Sequence, residues 1–481
     1  MSLNEMLVIQ STNEAKSLIY KEYFRAKQTK RNTSVMAPPE LRESYFTSIS
    51  FCRLACQVIN ERIDLDSVTA ESDSASEFLA KVLKINGGAD MVASAHLVAM
   101  EFGRSYLVPS GSEREDGIPM VQVVSGMDMV HRINGYTGEI TEALQVFGEL
   151  RDRYVYWNLD ENHQVTAIKR KSEEYPDATV TYPPDDSWTT DRRFPGFFVK
   201  IETGITEIPV FPLICRNEPG NTFGRPEAKD AFKLQDAACR EATDMAIASA
   251  TMATPQRLLL GAEAEDFADH DAEGNVIENT VPSGDKLYMS RLLTISEPAA
   301  KVAEFAAAQL QNFATALNST TRQASAILGV PQSLFGVASD ANPASGDAMA
   351  QDDKRLIRRA EQLTRGFEPG WISMFQYLLR EYDFGVQDVI LRWVDPSLPN
   401  LSARADAVQK LSTINENGAP LYTWQELRRK LGDSDDEIKA AEADREVAQV
   451  QNLLTNPPAQ NQAPAQNGVA NEPGTSPNSG G

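Results

Sequence analysis

Histidine and cysteine, the side chains that most often act in catalysis or bind transition metals, are scarce in this sequence. The 481 residues include four histidines and four cysteines. A histidine-based mechanism or metal site brings several such side chains together, whereas these four histidines are scattered along the chain. The sequence therefore predicts that the histidines are packing residues or lie alone beside strands and turns; they are His96, His131, His163 and His270.

Two of the cysteines fall on one face of a predicted helix. Ile49, Cys52, Cys56, Ile59 and Ile63 are three or four residues apart, which is the spacing of a buried helix face. The other two thiols, Cys215 and Cys239, lie in an apolar run and on an alanine-rich helix. A metal or redox role is the alternative, but small packed hydrophobes that stay reduced account for all four.

The recurring catalytic motifs are absent from the sequence. There is no phosphate-binding G-x-x-x-x-G-K-[ST] loop, no G-x-S-x-G elbow, no H-E-x-x-H, no C-x-x-C and no G-x-G-x-x-G. Carboxylates are so abundant that no chosen pair is informative. We therefore expect no enzyme activity and no cofactor. The alternatives are a hydrolase or transferase whose site is assembled from dispersed carboxylates, and a helical scaffold protein.

One acidic turn resembles half of a calcium-binding loop. Asp269, Asp271 and Glu273 alternate before Gly274, but the twelfth position of such a loop would be Thr280 instead of glutamate. The flanking segments are not the two helices that the motif requires. A solvated hairpin turn is therefore the favoured interpretation of this stretch.

The charge of the chain argues against a clamp that binds nucleic acid at any sequence. The formal net charge is −22, whereas such clamps gain affinity when Lys and Arg release counterions from phosphates. An acidic conduit along which DNA slides is compatible with this charge.

The short basic cluster Lys27, Lys30 and Arg31 is best explained as a solvated helix end. Aromatic residues of one strand could stack on bases, but sheet packing is the favoured interpretation; they are Tyr154, Tyr156 and Trp157.

Two alanine-rich helices, 225–253 and 298–330, form the predicted centre of the chain. Pro226 and Pro298 stand near their starts, and Pro255 and Pro331 follow their ends. The stretch between the helices contains short apolar runs and turn residues, which predicts a small strand-containing module. A loop of small residues then leads into a long amphipathic helix, in which Pro369 predicts a kink.

The flanking segments show simpler patterns. The N-terminal segment predicts helices at 5–28, around Cys52, at 74–83 and at 90–102. Short alternating runs between 105 and 182 predict an antiparallel sheet. Residues 401–450 predict three helices, one of which opens with a Thr423-x-x-Glu426 capping box. A helix-turn-helix that reads DNA is the alternative there, but four acidic residues beside the second helix disfavour it.

Two stretches of the sequence carry a resemblance to a known family. RNEPGNTFGRPEAKDAFKLQDAACREATDMAIASATMATPQRLLLG begins at Arg216, and GVPQSLFGVASDANPASGDAM begins at Gly329. Their order and spacing resemble the portal proteins of tailed double-stranded DNA bacteriophages, from about Asn60 to Tyr382. The resemblance implies an α+β, mainly helical fold with wing, stem, clip and crown regions.

The resemblance also implies a division of the chain. The expected regions are a wing at 1–224, stem helices at 225–253 and 298–330, a clip at 254–297, a channel loop at 331–347, a long wing helix and return strand at 348–400, and crown helices at 401–455. Composition predicts that the tail at 456–481 is disordered, since it has no aromatic residue and one acidic residue.

The function implied by the resemblance is structural. Such proteins form a ring, usually of twelve subunits, at one capsid vertex, through which double-stranded DNA enters and leaves. The expected partners are the terminase large subunit, a head-tail adaptor, and capsid and scaffolding proteins. The expected DNA-contacting residues of the channel loop are Ser339, Asp340, Asn342 and Ser345, and the expected partner surface of the clip is Asp266, Asp269, Asp271 and Glu273.

The expected location follows from the same resemblance and from the sequence. We expect a virion protein that is assembled in the host cytoplasm. No stretch reaches the 18 to 20 apolar residues of a membrane span, and the N-terminus lacks the pattern of a secretory signal, so no membrane partner is expected.

Overall fold

The computed structural model divides the chain into two units, Met1–Leu398 and Pro399–Gly481. Each unit has its own internal contacts. The described residues are 3–28, 46–111, 115–148, 153–160, 164–170, 198–252, 257–260, 301–304, 310–336 and 346–397 in the first unit, and 401–416, 419–433, 437–445 and 447 in the second.

In residues 3–28 and 46–102, the first unit contains the four helices that the sequence predicts. They are α1 (Leu3–Phe24), α2 (Phe51–Asn60), α3 (Asp73–Ile85) and α4 (Ala89–Phe102). The helix around Cys52 buries the predicted face, since Cys52, Cys56 and Ile59 are at most 1% exposed. A strand that the sequence did not indicate, β1 (Leu65–Ala70), lies between α2 and α3.

The predicted antiparallel strands are present but form two sheets. One sheet has the order β3-β2-β9, and the other is a five-stranded antiparallel meander from β4 to β8. The strands are β2 (Arg104–Ser110), β3 (Met120–Ser125), β4 (Met129–Ile133), β5 (Ile140–Phe147), β6 (Arg153–Leu159), β7 (Val165–Arg170), β8 (Phe198–Glu202) and β9 (Phe211–Ile214). Each of the six predicted strands from β2 to β7 is confirmed; β8 and β9 were not predicted.

The two alanine-rich helices are shorter than predicted. The first, α5 (Phe232–Met252), begins after a 3-10 turn and not at Arg225. The reason is that the backbone N–H groups of Arg225 and Glu227 donate to Cys215 and Met100, in tertiary contacts that replace a helical start.

The second helix, α6 (Leu310–Leu328), begins twelve residues after the predicted start at 298. Residues Lys301–Glu304 form strand β11, which pairs antiparallel with β10 (Arg257–Leu260). The prediction of a helix from 298 was therefore wrong. Alanine favours a helix only weakly, and strand pairing satisfies the same backbone groups, so tertiary pairing overrides the local preference.

The long helix α7 (Gly346–Glu381) continues through Pro369. Its predicted apolar positions are all buried; they are Leu356, Ala360, Leu363, Phe367, Trp371, Met374, Phe375 and Leu378. They contribute to the main hydrophobic core, which also contains the Cys52 face of α2. The return strand β12 (Val389–Trp393) pairs with β1, whose partner residues are more than 300 positions away in sequence.

The second unit contains short helices. They are α8 (Leu401–Ser412) and α9 (Trp424–Leu431), joined through the two-residue strands β13 (Asn415–Glu416) and β14 (Ala419–Pro420), and residues 437–445 are also helical. The predicted capping box is confirmed, because Thr423 and Glu426 accept hydrogen bonds from each other's backbone N–H groups.

Several predicted segments lie outside the described residues. They are most of the module between β10 and β11, residues 337–345 of the loop before α7, the tail from 448 onwards, and the side chains of His163, His270, Lys30 and Arg31.

Candidate functional site at the base of the helix pair

Helices α5 and α6 pack side by side and so form the pair that the sequence placed at the centre of the chain. Small side chains face inward from α5, where Ala238, Ala242 and Ala248 are buried. A polar contact crosses the pair, from the Thr320 hydroxyl to Glu241 Oε1 at 3.0 Å. Because these side chains are small, the axes of the two helices can approach closely.

Helix α6 has buried residues only in its second half. Its buried residues are Thr320, Thr321, Ala324, Ser325 and Leu328. No residue from 310 to 319 is buried. The helix contains no acidic residue and one cation, Arg322, in a chain that has 68 acidic residues. The exposed side chains of α6 are therefore mostly uncharged, with Arg322 as the charged one among them.

A buried ion cluster holds the base of the pair, formed by Glu227, Arg216 and Arg359. The Glu227 side chain is 1% exposed and accepts two hydrogen bonds from Arg216, at 2.7 and 2.8 Å. Arg359 of α7 donates to the same carboxylate. Burial raises the pKa of Glu227, but the two guanidinium groups outweigh it and hold the pKa below its ordinary value. The carboxylate is therefore ionised at neutral pH.

The loop from Arg216 to Glu227 turns the chain from β9 to α5 in a confined space. Gly224 has φ +65°, and a Cβ there would lie 2.4 Å from the carbonyl oxygens of Cys215 and Gly103. The Arg225 N–H donates to that Cys215 carbonyl at 2.9 Å. Only glycine fits this position, because any other residue would be strained and would also meet the backbone.

Arg359 also contacts the end of the second helix. Its Nη1 donates to the Ile327 carbonyl at 2.9 Å, one of the last carbonyls of α6. Gly329 follows with φ +66°, and a Cβ there would lie 3.1 Å from Nη1 of Arg359. One guanidinium thus joins the start of α5, through Glu227, to the end of α6.

Helices α1 and α2 hold the start of α5 from the other side. The Tyr23 hydroxyl donates to Asp236 Oδ2 at 2.7 Å, and the Tyr23 ring stacks on Phe232 with centroids 4.1 Å apart. Gln235 is fully buried, donates to the Tyr23 carbonyl and accepts from the Cys52 N–H. The base of the pair is therefore fixed by contacts with three other helices.

The predicted packing roles are confirmed for the described residues that could have carried chemistry. His96 is fully buried, accepts from Trp371 Nε1 at 3.0 Å and stacks on Phe367. Burial lowers the pKa of His96 to about 3, so the ring is neutral. All four cysteines are free and buried, and burial raises the pKa of the Cys52 thiol. The aromatic residues of β6 are core residues, so base stacking there is excluded; Tyr154, Tyr156 and Trp157 are at most 9% exposed.

The residues predicted to contact DNA or partners lie outside the described part of the chain. This holds for Ser339, Asp340, Asn342 and Ser345 of the loop, and for Asp266, Asp269, Asp271 and Glu273 of the module. Their roles stay predictions. Sequence reasoning missed the Glu227 cluster, although Arg216 and Glu227 both lie in the R-N-E-P-G-N to R-P-E stretch that carried the resemblance.

Two further observations apply to the described residues alone. Their His, Cys, Asp and Glu side chains form no group of three or more that could hold a metal ion. None of their helices is both long and apolar enough to cross a bilayer.

Comparison with known proteins places the chain in a family. A family model described as "Phage portal protein, SPP1 Gp6-like" matches residues 47–450. The portal protein of Mycobacterium phage D29 is 25% identical over 85% of this chain and 81% of its own length. The portal protein of Mycobacterium phage L5 is 24% identical over 81% of this chain and 77% of its own length.

The comparison with solved structures finds chains of gene transfer agent particles. A chain of the neck of the native particle, computed with C12 symmetry, has a TM-score of 0.46, 13% identity, and coverage of 86% of this chain and 98% of its own. A chain of the native virion has a TM-score of 0.45, 14% identity, and coverage of 86% and 99%. Because the family model matches most of its length, the chain belongs to the SPP1 Gp6-like phage portal proteins. These are structural proteins of the virion and not enzymes, and they connect head and tail at the capsid vertex.

Proposed function

We propose that copies of this chain assemble into a closed ring of twelve at one capsid vertex, and that double-stranded DNA passes through the ring during packaging and ejection. The observation that supports this proposal best is the first half of α6, which has no buried residue in the single chain. An isolated helix of this length is marginal without packing. A neighbouring copy would supply that packing through a head-to-tail interface that closes on itself.

The parts of the fold take roles within this ring. We assign α5 and α6 to the stem, and β10, β11 and the residues between them to the clip. The helices α1 to α4, the two sheets and α7 form the wing, and α8, α9 and residues 437–445 form the crown. The Glu227 cluster would then fix the stem to the wing of the same subunit.

The two sets of predicted contact residues follow from these assignments. The loop that contains Ser339, Asp340, Asn342 and Ser345 enters the channel, where neutral or acidic groups bind DNA weakly. The acidic residues Asp266, Asp269, Asp271 and Glu273 of the clip face the terminase large subunit during packaging and a head-tail adaptor afterwards. Capsid and scaffolding proteins contact the wing, and assembly takes place in the host cytoplasm.

Ring formation is tested by the mass of the purified protein. The chain has a mass of 53.0 kDa, so twelve copies give about 640 kDa. Ala316→Lys places a charge on the exposed surface of α6 and should shift the mass to smaller species. Ala80→Lys, at an exposed alanine of α3, should leave the mass unchanged. Mass photometry measures both, and a protein that remains monomeric at every concentration contradicts the proposal.

The DNA and partner roles need separate variants that still form rings. Asp340→Lys should slow DNA passage, because a lysine at the channel surface binds phosphate. The amount of DNA per particle in a complementation assay measures this passage.

Combined substitution of Asp269 and Asp271 by Asn should weaken capture of the terminase large subunit. Normal DNA filling or normal capture would contradict the respective role without affecting the ring.

A further inference from the structure

A cleft of about 860 Å³ lies away from the helix pair, among the β4–β5 hairpin, the segment from Thr206 to Thr222, and the second half of α7. Its volume is in the range of sites that bind small molecules or short peptide segments. Part of its lining is aliphatic, from residues such as Ile140, Ile208 and Val210. The remaining lining is polar and carries charges of both signs, whose number and position decide what the cleft can bind.

Negative groups outnumber positive groups in the lining of the cleft. Three carboxylates and two guanidinium groups line it; they belong to Glu139, Glu207, Glu218, Arg365 and Arg380. Arg225 pairs with Glu218 from outside the cleft, but it is shared with Asp230, so it does not change the sign of the balance. The lining therefore favours a cation over an anion.

The negative charge is concentrated at the Arg380 end of the cleft. Arg365 lies one and a half dozen angstroms or more away, since fifteen residues of α7 separate it from Arg380 and correspond to about 22 Å of helix. Arg380 pairs with Glu207, and Glu139 and Glu381 lie close enough to act on the same carboxylate. Burial and the charges of Glu139 and Glu381 together outweigh Arg380, so the pKa of Glu207 is raised. At this end, three carboxylates share one guanidinium group.

Two of these three carboxylates have no cation of their own. Glu139 and Glu381 are exposed, and among the described residues none forms an ion pair with either side chain. Like charges that lie close together repel one another, and a cation placed between them removes the repulsion. Glu139 lines the cleft, so a positive group inside the cleft can reach it.

A buried hydrogen-bond donor, His131 of β4, lines the same cleft. The Tyr106 hydroxyl accepts from Arg104 Nε at 2.6 Å and lies 2.8 Å from His131 Nδ1, and because a guanidinium can only donate, the hydroxyl hydrogen goes to Nδ1. Burial and the charge of Arg104 lower the pKa of His131 to about 3, so the ring is neutral. A neutral imidazole that accepts at Nδ1 carries its hydrogen on Nε2. His131 is 3% exposed, and no described residue accepts from this Nε2.

The donor and the acidic end of the cleft belong to one hairpin. His131 stands two residues before Ile133, and Ile133 pairs with Ile140, which follows Glu139 directly. Two residues of strand correspond to about 7 Å. A lysine residue can bridge such a distance, because its ammonium group is carried on a flexible four-carbon stem. The aliphatic side chains between the two polar groups suit that stem, since Ile133 and Ile140 both line the cleft.

We propose that this cleft is a docking site for a lysine-bearing segment of a partner protein, whose main-chain carbonyl accepts from His131 Nε2 and whose ammonium group lies beside Glu139 and Glu207. The ammonium group donates charge-assisted hydrogen bonds, and the stem of the lysine contacts Ile133 and Ile140. The carbonyl distinguishes a protein segment from a small amine, which offers His131 no acceptor. The site belongs to a single subunit, so it does not depend on the ring or on the channel.

A matched pair of peptides tests the proposal on the full-length protein. The probes are acetyl-Leu-Lys-Leu-amide and the same peptide acetylated on the lysine nitrogen, which removes the positive charge, and calorimetric titration at low salt measures binding. The lysine peptide should bind at least about fivefold more tightly than the acetylated peptide. Glu139→Gln, at an exposed position, should bring the two affinities to within about twofold of each other. Glu22→Gln, an exposed glutamate of α1 that does not line the cleft, should preserve the difference.

Each other outcome overturns the proposal. Equal binding of the two peptides, or no binding of either at low millimolar concentration, shows that the cleft does not select an ammonium group. Displacement of the lysine peptide by equimolar cadaverine, a diamine that has no carbonyl group, shows a site for small amines only. Tighter binding of acetyl-Leu-Glu-Leu-amide than of the lysine peptide shows that the guanidinium groups decide the selectivity. An unchanged preference in Glu139→Gln places the peptide elsewhere.

Discussion

Glu227→Gln should destabilise the first unit substantially although it keeps the size and shape of the side chain. Glu227 is 1% exposed and receives both Arg216 and Arg359. The amide has one acceptor oxygen where the carboxylate had two, its NH₂ group faces guanidinium donors, and the substitution removes the only negative charge of the cluster. Two guanidinium groups would then lie side by side without a counter-ion.

The size of the effect follows from the exposure of the partners. Removing one member of a buried ion pair costs about 3 to 5 kcal/mol. The Arg216 side chain is 24% exposed and that of Arg359 is 11% exposed, so water compensates part of the charge. We therefore expect the lower limit, about 3 kcal/mol. At about 2.1 cal/mol/K of unfolding entropy per residue and roughly 400 residues, the midpoint of thermal unfolding falls by about 4 °C.

Glu218→Gln is the matched control, because it lies in the same loop and removes the same kind of group. Glu218 pairs with Arg225 at 3.4 Å, but its side chain is 52% exposed. An exposed pair contributes at most about 1 kcal/mol, so the midpoint should change by about 1 °C or less. Differential scanning calorimetry measures both variants. If Glu227→Gln is no less stable than Glu218→Gln, the cluster does not hold the helix pair.

The pH dependence of the same difference gives a second check. The pKa of Glu227 is lowered in the folded protein, so the stability it contributes is present above the unfolded pKa of about 4.3 and is lost as the pH falls through the folded value. The difference between wild type and Glu227→Gln should therefore be constant near neutral pH and should narrow below about pH 4. A difference that instead grows on acidification contradicts the assigned charge state.

Three further predictions concern close contacts and buried rings. Gly224→Ala should abolish soluble expression or lower the unfolding midpoint severely, since its Cβ would meet two carbonyl oxygens at 2.4 Å. Gly220→Ala is the control, because Gly220 has φ +80° but open space around it, and it should lower the free energy of unfolding by about 1 kcal/mol. Similar losses of stability in the two variants would contradict the close contact at Gly224. Gly370→Ala should separate α7 from β9, because its Cβ would lie 2.4 Å from the Pro212 carbonyl oxygen; unchanged calorimetric stability would refute this. His96 and His131 have pKa values lowered to about 3, so their rings should not titrate between pH 8 and 5 in NMR spectra. The stability that the folded protein gains from keeping these rings neutral should be complete above about pH 6.5 and should be lost as the pH falls below that value.

Local patterns in the sequence predicted the elements whose partners are near in sequence or whose spacing is strongly periodic. The buried positions of α7 follow the three- and four-residue spacing, and Thr423 and Glu426 form the capping box that their spacing indicates. The strands β2 to β7 follow one another through short turns, so alternation and turn residues sufficed. In each case the energetic cause is local, and a short window of sequence contains it.

The elements that the sequence did not predict depend on distant partners. Strand β1 pairs with β12, in which Leu391 is the partner of Val68. A short stretch of sequence around Val68 does not indicate that partner. Residues 301–304 leave the helical pattern because β10 offers a ladder of backbone hydrogen bonds. The Glu227 cluster depends on Arg359, which lies 132 positions away. Composition and periodicity cannot report which distant side chains meet, so these features required the structure.

The recognisable sequence and the proposed assembly surface on α6 therefore have different physical roles. The stretch from Arg216 to Glu227 resembles portal proteins, and its residues fix the helix pair: Gly224 lies between two carbonyls, and Glu227 pairs with Arg216 and Arg359. The exposed surface of α6 carries mostly uncharged residues, and none of residues 310–319 is buried in the single chain. Substitutions in the recognisable stretch should act first on folding, whereas substitutions on the exposed surface of α6 should act on assembly with folding intact. A variant of Glu227 that folds normally but fails to assemble would reverse this division.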